Sequence, residues 1–297
     1  MLPQVFVIVL AFNGRKWINN CLNSILSTNY PNFRILVIDN ASKDGSADYV
    51  ASKYSHLTLI RNKKNLGFAE GNNIGMRYAF KNGAEYVVLL NQDTKVDRNW
   101  LTELINIAES DHKIGILSPM QYDYEGKDLD RNFKGLIQNV LTDKEFIETD
   151  RVIGSAMLYT KQAYEKVGLF DPIYFCYHEE SDLCRRVKYF GYKVGIVKTG
   201  RIYHWHSLIQ ENGLSRKARH LFIRNELIYA LKNPNKSLIR SLFGYFKWKI
   251  RGFMKKDGIF YGLGVFFVLI IKQFQVFFCI PRILIRKNKE ICRSNCN

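Results

Sequence analysis

The stretch YVVLLNQDTKV, Tyr86–Val96, decides how the fold is interpreted, because five apolar or aromatic residues run directly into Asn91, Gln92 and Asp93. A near-continuous apolar strand implies a sheet that is covered on both faces. Asp93 would then lie where the strand emerges, at the edge where open α/β sheets bind ligands. It also suits a turn, since aspartate commonly begins turns. The stretch predicts a buried strand and leaves the role of Asp93 open.

Strand-like and helix-like segments alternate on both sides of this stretch. The apolar runs QVFVIVLAFN, FRILVIDN and LTLIRN each lead through a turn into a helix-like segment, and AEYVVLLNQD precedes NWLTELINIAESD. This alternation predicts an α/β protein with a mostly parallel, doubly wound sheet flanked by helices. Polar residues just past the strands, such as Asn13 and Asp39, are expected at one sheet edge. Between about residues 123 and 150 the pattern weakens, which favours an irregular or surface-exposed insert.

Basic charge is concentrated towards the C-terminus. The formal net charge is +17, and residues 201–297 carry 19 Lys and Arg against 4 Asp and Glu. Such a tail suits an anionic membrane surface or nucleic acid, and it also fits a merely solvated basic face. The aromatic residues of the tail lie in long apolar runs, and no nucleic-acid-binding motif occurs. We therefore expect no nucleic-acid partner.

The cysteines and the N-terminus bear on the compartment. Six cysteines show neither zinc-type pairs nor a secretory framework, so we expect reduced thiols in the cytosol. The beginning, MLPQVFVIVLAFNG, lacks a basic n-region and a small-residue cleavage site, which favours a first strand over a signal peptide.

The longest uncharged apolar run of the tail, 259–271, has 13 residues. As a helix it would extend roughly 20 Å, less than the hydrocarbon core of about 30 Å. Extending it to residue 280 brings in Lys272, which costs about 2.5–3.5 kcal/mol at a helix centre. An interfacial or re-entrant helix is favoured over a span, with a buried helical subdomain as the alternative.

Two segments suit a nucleotide or a sugar. Asp39 in VIDNASKDGS could accept hydrogen bonds from a base or ribose, or it could cap a helix or close a turn. In NLGFAEGNNIG, glycines let the backbone approach a phosphate or sugar closely. The order G-x-G-x-x-G and the element GK[ST] are both missing, so neither a dinucleotide fingerprint nor a P-loop is supported.

Two further segments carry acid–base or metal chemistry. In YHEESDLCRR, Glu179 and Asp182 would share a helix face with Arg186 one turn on. One of the three acids Glu179, Glu180 and Asp182 could act as general base, although acids at a helix start also match the macrodipole. In RIYHWHS, His204 and His206 lie on one side of a strand and could include a metal ligand, or simply be core or surface residues.

Taken together and in this order, the segments resemble glycosyltransferase family 2 with the GT-A fold, and within it the rhamnosyltransferase-like group. The matching stretches are VIVLAFNG, VIDNASKDGS, NLGFAEGNNIG, LLNQDT, GSAMLYTKQAYEKVGLFD, YHEESDLCRR, YHWHS and RNELIYALKN, over about residues 3–232. The resemblance implies a GT-A catalytic domain at 1–235, and the charge and apolar runs of the tail indicate a basic, apolar, helical and membrane-associating extension at 236–297.

The resemblance also assigns residues. NQD stands where the family has Asp-x-Asp, so Asp93 is the expected contact of Mg²⁺ or Mn²⁺, with His204 as a second ligand and His206 as the fallback. Glu180 falls on the base position, with Glu179 or Asp182 as alternatives, and the role of the Arg224–Asn225 pair stays open. The expected donor-binding residues are Asn13, Asp39, Asn65, Gly67, Phe68, Asn72, Asn91 and Asp93.

The implied activity is inverting transfer of a sugar from a nucleotide-diphospho-sugar, with dTDP-rhamnose first and a UDP-hexose as rival. The acceptor is expected to be a lipid-linked or cell-surface saccharide, at the cytoplasmic face of the cell membrane. A nucleic-acid-binding protein and a homologue that binds donors without transferring them are the alternatives from other classes.

Overall fold

A computed structural model describes residues 1–137, 144–205, 215–257, 276 and 279–295. The chain divides into two compact units, Met1–Gly213 and Leu214–Asn297. The boundary predicted from the sequence lies further along the chain, after residue 235.

The first part of the first unit alternates strictly between strand and helix, as predicted. Its elements are β1 Val5–Ala11, α1 Ile18–Leu26, β2 Phe33–Asp39, α2 Ser46–Lys53, β3 Thr58–Arg61, α3 Gly67–Lys81, β4 Tyr86–Asn91 and β5 Thr94–Val96. The apolar run of YVVLLNQDTKV forms β4, which is buried from Tyr86 to Leu90 and partly exposed at Asn91.

The second part completes the sheet. Its elements are α4 Trp100–Ser110, β6 Ile114–Asp123, α5 Arg131–Ile137, β7 Phe146–Glu148, β8 Ala156–Thr160, α6 Lys161–Val167, α7 Glu179–Tyr189 and β9 Lys193–His204. The sequence predicts an irregular or surface-exposed insert near 123–150. The irregular alternative is wrong at α5 and β7, which are regular elements, whereas residues 125–128 are exposed and lie outside any helix or strand. α5 and β7 bury Phe133 and Ile147 with Ile196 of β9 in a small cluster of their own.

The nine described strands form one sheet with the order β3-β2-β1-β4-β8-β6-β9-β5, and β7 pairs with β9. β1, β2, β3 and β4 are parallel, and β6 and β9 follow the same direction because β8 runs antiparallel to both β4 and β6. Most strands therefore end at the same edge, and the predicted α/β fold with a mostly parallel sheet is confirmed.

Helices cover both faces of the sheet, and side-chain alternation along the strands assigns each residue to one face. Val5, Val7 and Val9 of β1 pack with α1 and α4 on one side. Phe6 and Ile8 pack with α3, α6 and α7 on the other. A strand that is buried on both faces has few places for a charge except at its end.

The second unit contains three described helices, α8 Arg216–Leu231, α9 Leu238–Asp257 and α10 Ile280–Asn295. Arg224 and Asn225 lie on α8, where the Arg224 guanidinium donates to Asn225 Oδ1 at 2.8 Å. No helix among the described residues is long and apolar enough to cross a bilayer. The apolar run 259–271 lies outside the described residues.

Candidate active site

The C-terminal ends of the parallel strands form the candidate site. β1, β2, β4 and β9 run in the same direction, so Asn13, Asp39, Asp93 and His204 lie at or just past strand ends on one edge of the sheet. The backbone there is unusual, since Asn13 (φ 49°) and Ala41 (φ 63°) are non-glycine residues in the left-handed region. Such conformations persist only where the surrounding structure holds them, and they are common at functional sites.

Asp39, at the end of β2, uses one carboxylate oxygen in the fold and leaves the other open. Oδ2 accepts a hydrogen bond from the Ser42 N–H at 3.2 Å, so Asp39 does close a turn, one of the roles expected from the sequence. Oδ1 is buried and has no hydrogen-bond partner in the part of the chain that is described. A buried oxygen without a partner is costly, so this atom suits a donor group of a bound ligand.

Asn13 closes the same turn from the neighbouring strand. Its N–H donates to Ser42 Oγ at 2.9 Å, and its Oδ1 accepts from the Lys43 N–H at 2.8 Å. The loops after β1 and β2 are therefore one hydrogen-bonded unit beside Asp39.

Asn40 holds the next loop in place, a role for which the sequence offered no signal beyond its neighbour Asp39. Its Nδ2 donates to Asn65 Oδ1 at 2.9 Å and to the Gly67 carbonyl at 3.1 Å. Its Oδ1 accepts from Asn62 Nδ2 at 3.1 Å and from the Leu66 N–H at 3.0 Å. One buried amide thus fixes the whole approach to α3.

Gly67 and Phe68 place the start of α3 against another segment of the site. Gly67 has φ 79°, and a Cβ there would lie 2.2 Å from the Phe175 carbonyl oxygen. The Phe68 N–H donates to that same oxygen at 2.6 Å. Asn72 is buried and its Nδ2 donates to the Phe68 carbonyl at 3.0 Å, so its amide already serves the fold.

Gln92, the middle residue of NQD, ties the end of β4 to the end of β1. Its Oε1 accepts from the Phe12 N–H at 2.9 Å, and its Nε2 donates to the Phe12 carbonyl at 3.0 Å. The Asn91 carbonyl accepts from Thr94 Oγ1 at 2.7 Å, which closes the turn around Asp93. The side chain between the two motif positions is therefore a structural link to the Asn13 loop.

His204 lies between two carboxylates, one of which the sequence did not single out. Its Nε2 is 3.5 Å from Asp93 Oδ1, and its Nδ1 is 3.1 Å from Asp130 Oδ2. Burial disfavours the imidazolium, but hydrogen bonds to Asp130 and then Asp93 outweigh it and raise the pKa of His204 to about 9. His206 lies outside the described residues.

Asp93 and His204 offer the donor types that Mn²⁺ and Mg²⁺ accept, a carboxylate and, for Mn²⁺ especially, an imidazole. Within the ranges that the structure describes, no group of three or more His, Cys, Asp or Glu is arranged to hold a metal ion by itself. The pair fits a cation that takes its remaining ligands from water and a bound ligand's oxygens, as Mg²⁺ commonly does with phosphates.

Glu179 and Glu180 begin α7 after two strained residues, Tyr177 (φ 74°) and His178 (φ 70°). In each glutamate, Oε2 is buried without a hydrogen-bond partner among the described residues. Burial, with Glu180 as the next cause, raises the pKa of Glu179 well above its usual value. Burial also raises the pKa of Glu180, against the opposing effects of its own backbone N–H and of Arg151. Such carboxylates suit proton transfer near neutral pH.

Asp182 differs from its two neighbours because its carboxylate is fully paired. Oδ2 accepts from Arg186 Nε at 3.0 Å, and Oδ1 accepts from Arg185 at 3.2 Å and from the Tyr174 hydroxyl at 3.3 Å. The pairing of Asp182 with Arg186 one turn on is the one that helical spacing predicts. The arrangement favours a structural role for Asp182 and leaves the two glutamates for chemistry.

Gly154 joins the two halves of the site. A Cβ built on Gly154 would lie 3.6 Å from the Phe68 ring and 3.8 Å from Glu180 Cγ. The start of α3 and the start of α7 therefore face each other across this glycine, which brings the expected donor segment and the candidate base together.

Comparison with known proteins shows to which family the chain belongs. Residues 6–168, more than half of it, match the model of glycosyl transferase family 2. The chain belongs to this family, and it is an enzyme of the glycosyltransferase class, a hexosyltransferase.

Individual relatives are distant. The chain is 24% identical to the low-salt glycan biosynthesis hexosyltransferase Agl10 of Haloferax volcanii, over 86% of this chain and 84% of the relative. It is 23% identical to the dTDP-rhamnosyl transferase RfbF of Shigella flexneri, over 69% of this chain and 70% of the relative. The mannosyltransferase PcManGT of Pyrobaculum calidifontis, solved with GDP-Man and Mn²⁺, has a similar fold, with TM-score 0.58 and 20% identity over 78% of this chain and 63% of that one.

Proposed function

We propose that the chain is an inverting glycosyltransferase that uses a nucleotide-diphospho-sugar, with dTDP-rhamnose as the first choice of donor. Its acceptor is a lipid-linked or cell-surface saccharide. The observation that carries the proposal is Glu180, a carboxylate with a buried, unpartnered oxygen and a raised pKa beside the segment expected to hold the donor.

The donor lies along the strand ends. Asp39 Oδ1 accepts a hydrogen bond from the base or ribose, since it is the one carboxylate oxygen of Asp39 that the turn does not use. Asn13 and the segment from Asn65 through Gly67 and Phe68 line the same edge. Asn91 and Asp93 approach the diphosphate, whereas Asn72 contributes by holding Phe68 in place.

A divalent cation, Mg²⁺ or Mn²⁺, would be held by Asp93 and His204 Nε2 with the donor's diphosphate oxygens. When bound, it neutralises the charge that develops on the leaving diphosphate. Asn91 stands where Asp-x-Asp has its first acid, so the protein supplies fewer charged ligands and the diphosphate supplies more.

The transfer step needs one proton acceptor. Glu180 takes the proton of the acceptor hydroxyl while that oxygen attacks the anomeric carbon from the face opposite the diphosphate. The new carbon–oxygen bond forms as the bond to the diphosphate breaks, and the nucleoside diphosphate leaves with the bonding electrons. Glu179 is the alternative base, and Asp182 is a weaker candidate because both of its oxygens already accept hydrogen bonds from arginines.

The choice of donor rests on the relatives, one of which is named as a dTDP-rhamnosyl transferase. Another is named as a hexosyltransferase without a stated sugar, and a structural neighbour was solved with GDP-Man. A UDP-hexose stays the second candidate, since other structural neighbours were solved with UDP.

A panel of nucleotide-sugars tests the proposal. Each donor is incubated with the protein, Mn²⁺ or Mg²⁺ and a membrane extract, and released nucleoside diphosphate is measured. Release with one donor that stops on adding a chelator supports metal-dependent transfer and identifies the sugar. If no nucleoside diphosphate and no glycosylated product appear with any donor and any acceptor extract, the transfer assignment fails. This holds whether or not calorimetry shows that donors bind.

We also propose that the enzyme lies at the cytoplasmic face of the cell membrane through the second unit. The exposed face of α9 mixes large apolar and basic side chains. Ile239 and Phe243 are each 75% exposed and Trp248 is 60% exposed, and Arg240 and Lys247 are exposed beside them. An apolar stripe with lysine and arginine suits the boundary between headgroups and acyl chains of an anionic bilayer.

Vesicle pelleting tests this attachment. We expect the protein to pellet with vesicles of phosphatidylcholine and phosphatidylglycerol, and the double variant Phe243→Ser, Trp248→Ser to lose most of that binding. Leu26→Ser removes an exposed apolar residue of the first unit and serves as the control. Unchanged pelleting of the double variant would refute a membrane role for this face of α9.

A further inference from the structure

A buried acid outside every motif, Asp130, holds the candidate metal ligand His204. It lies directly before α5, in the region whose sequence pattern is weak. Asp130 Oδ2 is 3.1 Å from His204 Nδ1, and both residues are buried. The two residues are 74 positions apart in the chain, so only the folded sheet brings them together.

Asp130 is itself fixed by the backbone. Its Oδ1 accepts from the Asn132 N–H at 2.8 Å and from the Phe133 N–H at 3.1 Å, which caps α5. Its own N–H donates to the Gln121 carbonyl of β6 at 2.9 Å. With one oxygen held by the cap, the other has a set direction, towards the imidazole.

This direction determines which nitrogen of His204 is available. A carboxylate can only accept a hydrogen bond, so the proton of a neutral imidazole stays on Nδ1, beside Asp130. In that neutral form, which is the form that binds a cation, the lone pair is on Nε2, the nitrogen 3.5 Å from Asp93 Oδ1. Carboxylates that accept from the far nitrogen of a metal-binding histidine orient the ring and fix its tautomer.

We infer that Asp130 is a positioning residue, which holds His204 with Nε2 directed at the cation expected beside Asp93. The inference rests on the metal site proposed above. Asp130 does not touch the cation or the substrate; it acts through the orientation and tautomer of His204.

The variant Asp130→Asn separates this role from the cap. An asparagine oxygen still accepts from the Asn132 and Phe133 N–H groups, as asparagine is a good N-cap residue. The amide nitrogen then faces His204 Nδ1 and donates to it, which moves the imidazole proton to Nε2 and blocks the metal ligand. Asp130→Ala removes the cap as well, so comparing the two variants measures the structural part.

The test is Mn²⁺ binding, followed by the loss of the free-ion signal in electron paramagnetic resonance, with Mn²⁺ alone and with Mn²⁺ plus dTDP. We expect Asp130→Asn to weaken Mn²⁺ binding about 10–100-fold, the usual effect of losing such a partner, with an unchanged melting temperature. His204→Ala should weaken Mn²⁺ binding at least as much. The double variant Asp130→Asn, His204→Ala should bind Mn²⁺ no more weakly than His204→Ala alone.

Two outcomes separate the possible failures. If His204→Ala weakens Mn²⁺ binding but a stably folded Asp130→Asn binds as the wild type does, the positioning role is refuted and the metal site stands. If His204→Ala and Asp93→Ala both bind Mn²⁺ as the wild type does, the proposed metal site itself is wrong, and the role of Asp130 falls with it.

Discussion

Asp182→Asn is the substitution that best separates fold from chemistry at the start of α7. Asp182 is fully buried and pairs with Arg186, whose side chain is 5% exposed. Removing one partner of a buried ion pair costs about 3–5 kcal/mol, because the other charge remains buried. Arg186 keeps its bonds to the Val167 and Leu169 carbonyls, so we expect the lower end, about 3 kcal/mol.

For a unit of this size, a loss of about 3 kcal/mol lowers the melting temperature by roughly 6–12 °C. Urea unfolding, followed by circular dichroism, gives the free energy of unfolding directly. The matched variant is Glu180→Gln, at the start of the same helix. It removes no protein hydrogen bond from Oε2, so we expect a stability change within about 0.5 kcal/mol and loss of transfer.

We therefore expect Asp182→Asn to lose stability and Glu180→Gln to lose transfer activity while it stays folded. An Asp182→Asn protein with wild-type stability and no transfer would refute the reasoning and place Asp182 in the reaction. A Glu180→Gln protein with near-normal transfer would move the base to Glu179.

Three further predictions follow from the site. Burial raises the pKa of Glu180 above its usual value of 4.5, and a base must be deprotonated to act, so kcat/KM should increase with pH through an apparent pKa above 4.5. Circular dichroism at each pH serves as the control for folding, and an apparent pKa at or below 4.5 would contradict this prediction. Gly67→Ala should cost more stability than Gly83→Ala, since both have positive φ but only the Gly67 Cβ meets a carbonyl oxygen, at 2.2 Å; equal melting temperatures would refute the close contact. Asp39→Asn should weaken binding of the donor about tenfold or more by calorimetry, because the open Oδ1 is lost as an acceptor in one amide orientation; wild-type affinity would remove Asp39 from the donor site.

Much of the local structure follows from residues close in the chain. The alternation of apolar runs and amphipathic segments specifies β1 to α4, because the periods of strand and helix are local properties. The pairing of Asp182 with Arg186 is likewise local, since residues four apart meet on any helix. The sequence pattern of 123–150 does not predict α5 and β7, because both elements are short and their stability comes from packing on β6 and β9, not from local periodicity.

The class of fold, the sheet edge where the polar residues gather, and the candidates Asp39, Asp93 and Glu180 can all be predicted from the sequence. The contacts that support these residues form only in the folded chain. Asn40 reaches Asn65, Gln92 reaches Phe12, and Asp130 reaches His204 across 25, 80 and 74 positions of the chain. Contacts between such distant residues depend on the order and register of the strands, which no local period encodes.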